Sequence, residues 1–133
     1  MKNVLVSLLL LFLLASCGGD DDKNKAAVTA CQDLADAVAT RLVECAEQRN
    51  GVALQPEERK AAYQASYNSF VQEAVGGECD AIKSVRDSES LYDECLPALQ
   101  NSVTCDNVLA GNLPAVCQKQ LIRPETSDEI DPF

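Results

Sequence analysis

Along the chain, apolar residues recur at two different rhythms. From Val4 to Ala15 they form a nearly unbroken run, interrupted only by Ser7. From Val28 onward they return every three or four positions: Cys31, Leu34, Ala35, Val38, Leu42 and Cys45, with Gln32, Asp33, Asp36, Arg41 and Glu44 falling between them. The second rhythm is that of an amphipathic helix. Thr29 with Gln32 predicts a capping box at its start, and Asn50-Gly51 a stop. A second helix is expected from Pro56, with Glu57 and Glu58 in its first turn and Tyr63, Tyr67, Phe70, Val71 and Ala74 as its core stripe, ending at Gly76-Gly77. Shorter helical turns should follow: one capped by Asp80 and carrying Ile82 and Val85, and one capped by Asp87 or Ser88 and carrying Leu91, Cys95, Leu99 and Val103. Pro97 should kink that second stretch or start a new helix. Asp106 to Ala110 reads as one more turn closed by Gly111, and Pro114 to Ile122 as a last short helix. No segment alternates with period two, so no sheet is expected.

The fold class is therefore all-α: a small disulfide-stapled bundle of two long antiparallel helices plus shorter ones, behind a leader and a tether. Four segments are expected: 1–16 a signal peptide, 17–27 a lipidated Cys and flexible acidic tether, 28–122 the helical domain, and 123–133 a disordered acidic tail.

The first rhythm sets the address. The twelve residues Val4 to Ala15 as a helix span about 18 Å, short of a bilayer's hydrocarbon core of about 30 Å, so the run reads as a signal-peptide core after the basic Lys2. It ends in Leu14-Ala15-Ser16-Cys17, which resembles the bacterial lipoprotein lipobox. The resemblance implies cleavage between Ser16 and Cys17, diacylglycerol on the Cys17 thiol, and acylation (palmitate) of the new amino terminus. Two or three acyl chains anchor a protein stably where a single chain does so only marginally. Gly18 beside Cys17 is similar to the pattern of lipoproteins sent to the outer membrane. The expected location is thus the bacterial cell envelope, lipid-anchored, on the periplasmic or surface face. Gly18 to Lys25, with Asp20, Asp21 and Asp22, is Gly-bearing and charged and is expected to be the flexible tether.

Setting Cys17 aside leaves Cys31, Cys45, Cys79, Cys95, Cys105 and Cys117, an even set in a chain addressed to an oxidising compartment. Three disulfides are expected. Cys31 and Cys45 lie about 21 Å apart along one helix, beyond the roughly 7 Å Cα separation a disulfide tolerates. An antiparallel second helix would return Cys79 to Cys31, the preferred pair. If the later helix runs back up the bundle, Cys105 meets Cys45, leaving Cys95 for Cys117. The run from Cys95 to Cys117, CLPALQNSVTCDNVLAGNLPAVC, resembles small cysteine-rich lipoproteins of delta-proteobacterial type; this implies compartment and helical architecture and assigns no activity.

Charge and composition narrow the chemistry. The formal charge of −10, from 21 acids against 11 bases, disfavours nucleic acid as a partner. With no histidine and no CxxC spacing, no metal, cofactor or catalytic set is expected. The chain is thus expected to be no enzyme but a membrane-anchored binding, interaction or structural module meeting an envelope protein. The alternatives are a carrier of a small apolar ligand and an envelope hydrolase built on paired carboxylates. An enclosed apolar cavity would favour the carrier, a cleft of carboxylates the hydrolase.

Overall fold

The structure is a computed structural model, and it describes residues 19–123. The expected signal peptide, with Ser16 and Cys17, and the acidic residues beyond Arg123 lie outside the described residues. Helix α1 (Gly19–Asn50) is the axis of the molecule. Around it pack α2 (Pro56–Phe70), a short antiparallel pair of strands β1 (Ser84–Val85) and β2 (Leu121–Ile122), and three short helices, α3 (Ser88–Ser90), α4 (Leu96–Asn101) and α5 (Cys105–Leu109). The fold is small, helical and held by three disulfides, as expected.

Helix α1 is covered on most of its circumference. Ala30, Cys31, Leu34, Ala35, Val38, Ala39 and Cys45 are all almost without solvent exposure. The alanines among them, with buried Ala27 and Ala37, let surrounding backbones approach closely, which suits a chain with few large side chains. Between the exposed residues 22–26 of its first turns and the exposed end at Arg49 and Asn50, the solvent keeps one strip: Thr29, Gln32, Asp36, Glu44 and Gln48 are exposed, with Asp33 half-buried beside them.

Residues 19–27, expected as a tether, are corrected by the structure: the helix already runs from Gly19, and Ala27 is buried. The acidic run falls at the amino end, where the helix dipole favours negative charge, and Lys23, Lys25, Ala26 and Ala27 are good helix formers. Thr29 is accordingly not a cap. It sits mid-helix, and its hydroxyl donates to the Lys25 carbonyl at 3.0 Å.

Helix α2 starts at Pro56 as expected. Glu58 accepts the Gln55 N–H at 3.2 Å, closing the first turn. The α1–α2 loop is tied by Glu47, whose carboxylate accepts the Leu54 N–H at 2.9 Å and pairs with Arg59. Those two bonds hold the Glu47 carboxyl below the usual range. The helix continues through a widened π-turn, Val71–Val75, and ends at Gly76, whose φ of 76° is left-handed and whose N–H donates to the Val71 carbonyl at 3.1 Å.

At that end Arg123 reaches back from beyond β2. Its Nη2 donates to the Ala74 carbonyl at 3.2 Å, placing a cation on the carbonyl end of the helix. A Cβ on Gly76 would lie 2.8 Å from that Nη2. Gly76→Ala should therefore cost about 1–2 kcal/mol for the left-handed backbone and dislodge the guanidinium as well. Gly51 has a φ of 65° and open space around it, so Gly51→Ala bears only the backbone cost. Urea unfolding of the two variants should rank Gly76→Ala as the more damaging; equal midpoints would remove any role for Arg123.

The second half is bound together by small devices. Asp87 caps α3, accepting the Ser90 N–H at 3.0 Å. Pro97 starts no separate helix: the preceding turn, Leu91–Cys95, widens so that the Leu96 N–H bonds the Leu91 carbonyl, and with Ser90, Cys95 and Leu96 all in right-handed helical geometry α3 runs through that turn into α4. Thr104 caps α5, and Gly111 follows it with a φ of 79°.

Four local expectations are corrected. Asp80 is no cap, since the 3₁₀ turn Cys79–Ala81 has Glu78 at its N-cap position. Val85 lies in β1. The stretch Pro114 to Ile122 is a 3₁₀ turn, Ala115–Cys117, followed by β2, so the expected last helix and the expected absence of any sheet both fail. The cause is Gln120, buried in the body. Its amide donates to the Val116 carbonyl at 2.7 Å while its oxygen accepts the Asp87 N–H at 3.3 Å, pulling residues 120–122 alongside Ser84 and Val85.

The disulfides join Cys31 to Cys79, Cys45 to Cys105 and Cys95 to Cys117, with Cα separations of 5.6, 5.1 and 4.9 Å. They are the pairs preferred from the antiparallel reading of the sequence. Two of them fasten other elements to α1, near its middle and near its end, and the third clamps the second half on itself.

Candidate functional site

The exposed strip of α1 is flanked on one side by α2 and on the other by the Leu91–Asn101 segment. Asp33 and Asp36, one turn apart, stand along this strip, so their carboxylates project between the two flanks. Helix α2 supplies Tyr63 and Tyr67, one turn apart, with ring centroids 6.1 Å from each other. From the other flank comes Tyr92. The Tyr63 hydroxyl donates to Asp36 at 2.5 Å, and the Tyr92 hydroxyl donates to Asp33 at 2.8 Å. All three tyrosines of the chain thus gather around two neighbouring carboxylates.

The packing explains the convergence. Phe70, Val71 and Ala74 of the α2 stripe enter the core fully, whereas Tyr63 and Tyr67, half-buried, ride at the boundary with their rings on α1. Tyr92 follows buried Leu91 and is 39% exposed, one of two large apolar-bodied side chains so displayed among the described residues. Each ring offers an apolar face, and two of the three carry a polar tip held down by an acid.

No family model matches the chain, and no curated protein or solved structure matches it either.

The carboxylates keep the phenols protonated. Tyr63 is pushed up to about 12, first by its hydrogen bond to Asp36 and then by burial; Tyr92 is pushed up to about 12, first by burial and then by Asp33. Tyr67 is raised by burial and by the same two acids. A folded pKa above the unfolded value of about 10 contributes stability that is present below pH 10 and disappears as pH climbs through the folded value. The alkaline limb of unfolding should therefore fall steeply between about pH 10 and pH 12. A Tyr63→Phe, Tyr92→Phe double variant should have a shallower limb when denaturant midpoints are compared, and an unchanged limb would count against these contacts.

Among the described residues no group of three or more His, Cys, Asp or Glu could hold a metal ion, and no helix is long and apolar enough to cross a membrane. The openings are surface grooves. One of about 830 Å³ lies between the first turns of α1 and β1, bordered by Lys23, Ala26, Ala27, Lys83 and Val85. Another, of about 290 Å³, is lined by Asp36, Arg41 and Glu44; there the Arg41 guanidinium pairs with Glu44 and also donates to the Val103 carbonyl at 3.1 Å. Such a pairing is a structural strut, with Arg41 and Glu44 3.3 Å apart.

Of the residues singled out from the sequence, the six cysteines of the domain appear as disulfides, all but Cys105 buried and Cys105 half-buried. Ser16 and Cys17 fall outside the described residues. The tyrosine–carboxylate face is not among the features expected from the sequence, although part of its signal is there: Asp33 and Asp36 sit within the apolar rhythm of α1, and Tyr63 and Tyr67 share one stripe. What the spacing does not carry is the arrival of Tyr92 from 59 residues away.

Proposed function

We propose that this chain is a membrane-anchored cell-envelope lipoprotein, cut between Ser16 and Cys17, lipidated on Cys17, and acting as a non-enzymatic interaction module. The tyrosine–carboxylate face is its docking surface. The observation that carries this reading is the gathering of Tyr63, Tyr67 and Tyr92 over Asp33 and Asp36. Tyrosine is enriched at protein–protein contacts because it buries a large rigid ring while keeping a hydrogen-bonding tip, and here two of the tips are already fixed by acids. The partner fitting such a face is an envelope protein presenting basic side chains, arginine above all, whose guanidinium stacks on tyrosine and pairs with carboxylate.

The anchor and the face are tested together in the bacterial host. A photo-crosslinking phenylalanine at position 92 should capture a discrete envelope protein, and the same group at Val52, about 25 Å or more along α1 from Asp33, should not. Cys17→Ser should leave the leader uncut and shift the protein out of the lipid-modified fraction. Equal capture from both positions would refute the face, and normal processing of Cys17→Ser would refute the anchor.

A further inference from the structure

The groove between α1 and β1 has a small apolar floor and two cations on its rim. Ala27 and Val85 form the floor, and Lys23 and Lys83 stand at the edges. Neither ammonium enters an ion pair with a described residue, in a chain of formal charge −10. Two lysines facing one groove in so acidic a molecule call for an anionic occupant.

The chain itself delivers one. Strand β2 pairs with β1 in the register Ser84 with Ile122 and Val85 with Leu121, so Arg123, the last described residue, comes opposite Lys83. The next ten residues, PETSDEIDPF, carry Glu125, Asp128, Glu129 and Asp131, no base, and the apolar Ile130 and Phe133. Ten residues reach up to about 33–36 Å when extended, several times the spacing of about 4.8 Å between paired strands that separates Arg123 from the groove wall. Starting beside the groove also gives the segment a high local concentration there.

We propose that residues 124–133 fold back into this groove of their own chain, setting carboxylates on Lys23 and Lys83 and an apolar side chain, Ile130 or Phe133, on Ala27 and Val85. Each exposed ion pair contributes little by itself, so docking depends on the apolar contact and the short connection together. The docked segment would cover the amino-terminal turns of α1, the part of the domain nearest Cys17 in the chain.

Zero-length carbodiimide cross-linking of the full chain, read by peptide mass spectrometry, tests this. Carboxylates of residues 125–131 should join Lys23 and Lys83 in about tenfold excess over Lys60, which is exposed on α2, consistent with a tethered local concentration. Phe133→Ser with Ile130→Ser should remove the excess while leaving the helical circular dichroism unchanged. Linkage spread evenly over Lys23, Lys60 and Lys83, or no linkage to the two groove lysines, overturns the proposal. So does hybrid linkage in a mixture of isotope-labelled and unlabelled chains, which would place the segment in a second copy.

Discussion

Reduction of the three disulfides should unfold the domain at room temperature. The bridges join residues 48, 60 and 22 positions apart, and in the chain-entropy account loops of these sizes contribute roughly 3–4 kcal/mol each. The loops overlap, so the contributions do not simply add. Even so, they approach the whole stability of a typical domain, about 5–15 kcal/mol. The interior compensates only in part: beside Leu34, Ile82, Leu91 and Leu99 it is filled mainly by Ala, Val and Cys, and Phe70 is the one aromatic ring buried outright among the described residues. Circular dichroism at about 222 nm should lose most of its helical signal in reductant and regain it on reoxidation. A reduced protein with the native signal and melting point would show that packing alone suffices.

The second large effect is expected at Leu34. This side chain is 1% exposed, on the central helix, and belongs to the buried cluster that also holds Val38, Leu91 and Leu99. Leu34→Ala should cost about 2–5 kcal/mol, the transfer term for the lost methyl groups plus the cavity left in a core that cannot collapse around a stapled helix. For a domain of this size that corresponds to a drop in melting temperature of about 10 °C or more. Val52, 66% exposed past the end of α1, provides the contrast: Val52→Ala should change stability by no more than about 0.5 kcal/mol. A Leu34→Ala midpoint indistinguishable from that of Val52→Ala would contradict the placement of Leu34 at the centre.

The helices are readable in the sequence where periodicity and caps speak together. Pro56 to Gly76 carries both, Cys31 to Cys45 carries the rhythm and the stop at Gly51 though not the expected Thr29 cap, and their antiparallel return makes Cys31 with Cys79 a geometric consequence. Gly111 marks a break because it accepts a left-handed turn, whereas Pro97, which lacks a donor, is absorbed by the widened turn before it. Legibility fails where distant contacts decide. Gln120 looks like an ordinary polar residue until Asp87 and Val116 give its amide two partners, and those bonds turn an expected helix into a strand. The early start of α1 is hidden because a charged, Gly-led run suits either a tether or a helix end, and burial of Ala27 tips the choice. The candidate face is half legible, its acids and two tyrosines lying in two readable helices and its third tyrosine arriving through the fold.

The coupling of the cysteines holds every other element in place. The most direct measurement is peptide mapping of the oxidised protein under non-reducing conditions. It should yield three linked pairs, Cys31 with Cys79, Cys45 with Cys105 and Cys95 with Cys117. A fragment joining Cys105 to Cys117, or free thiols among these six, would contradict it.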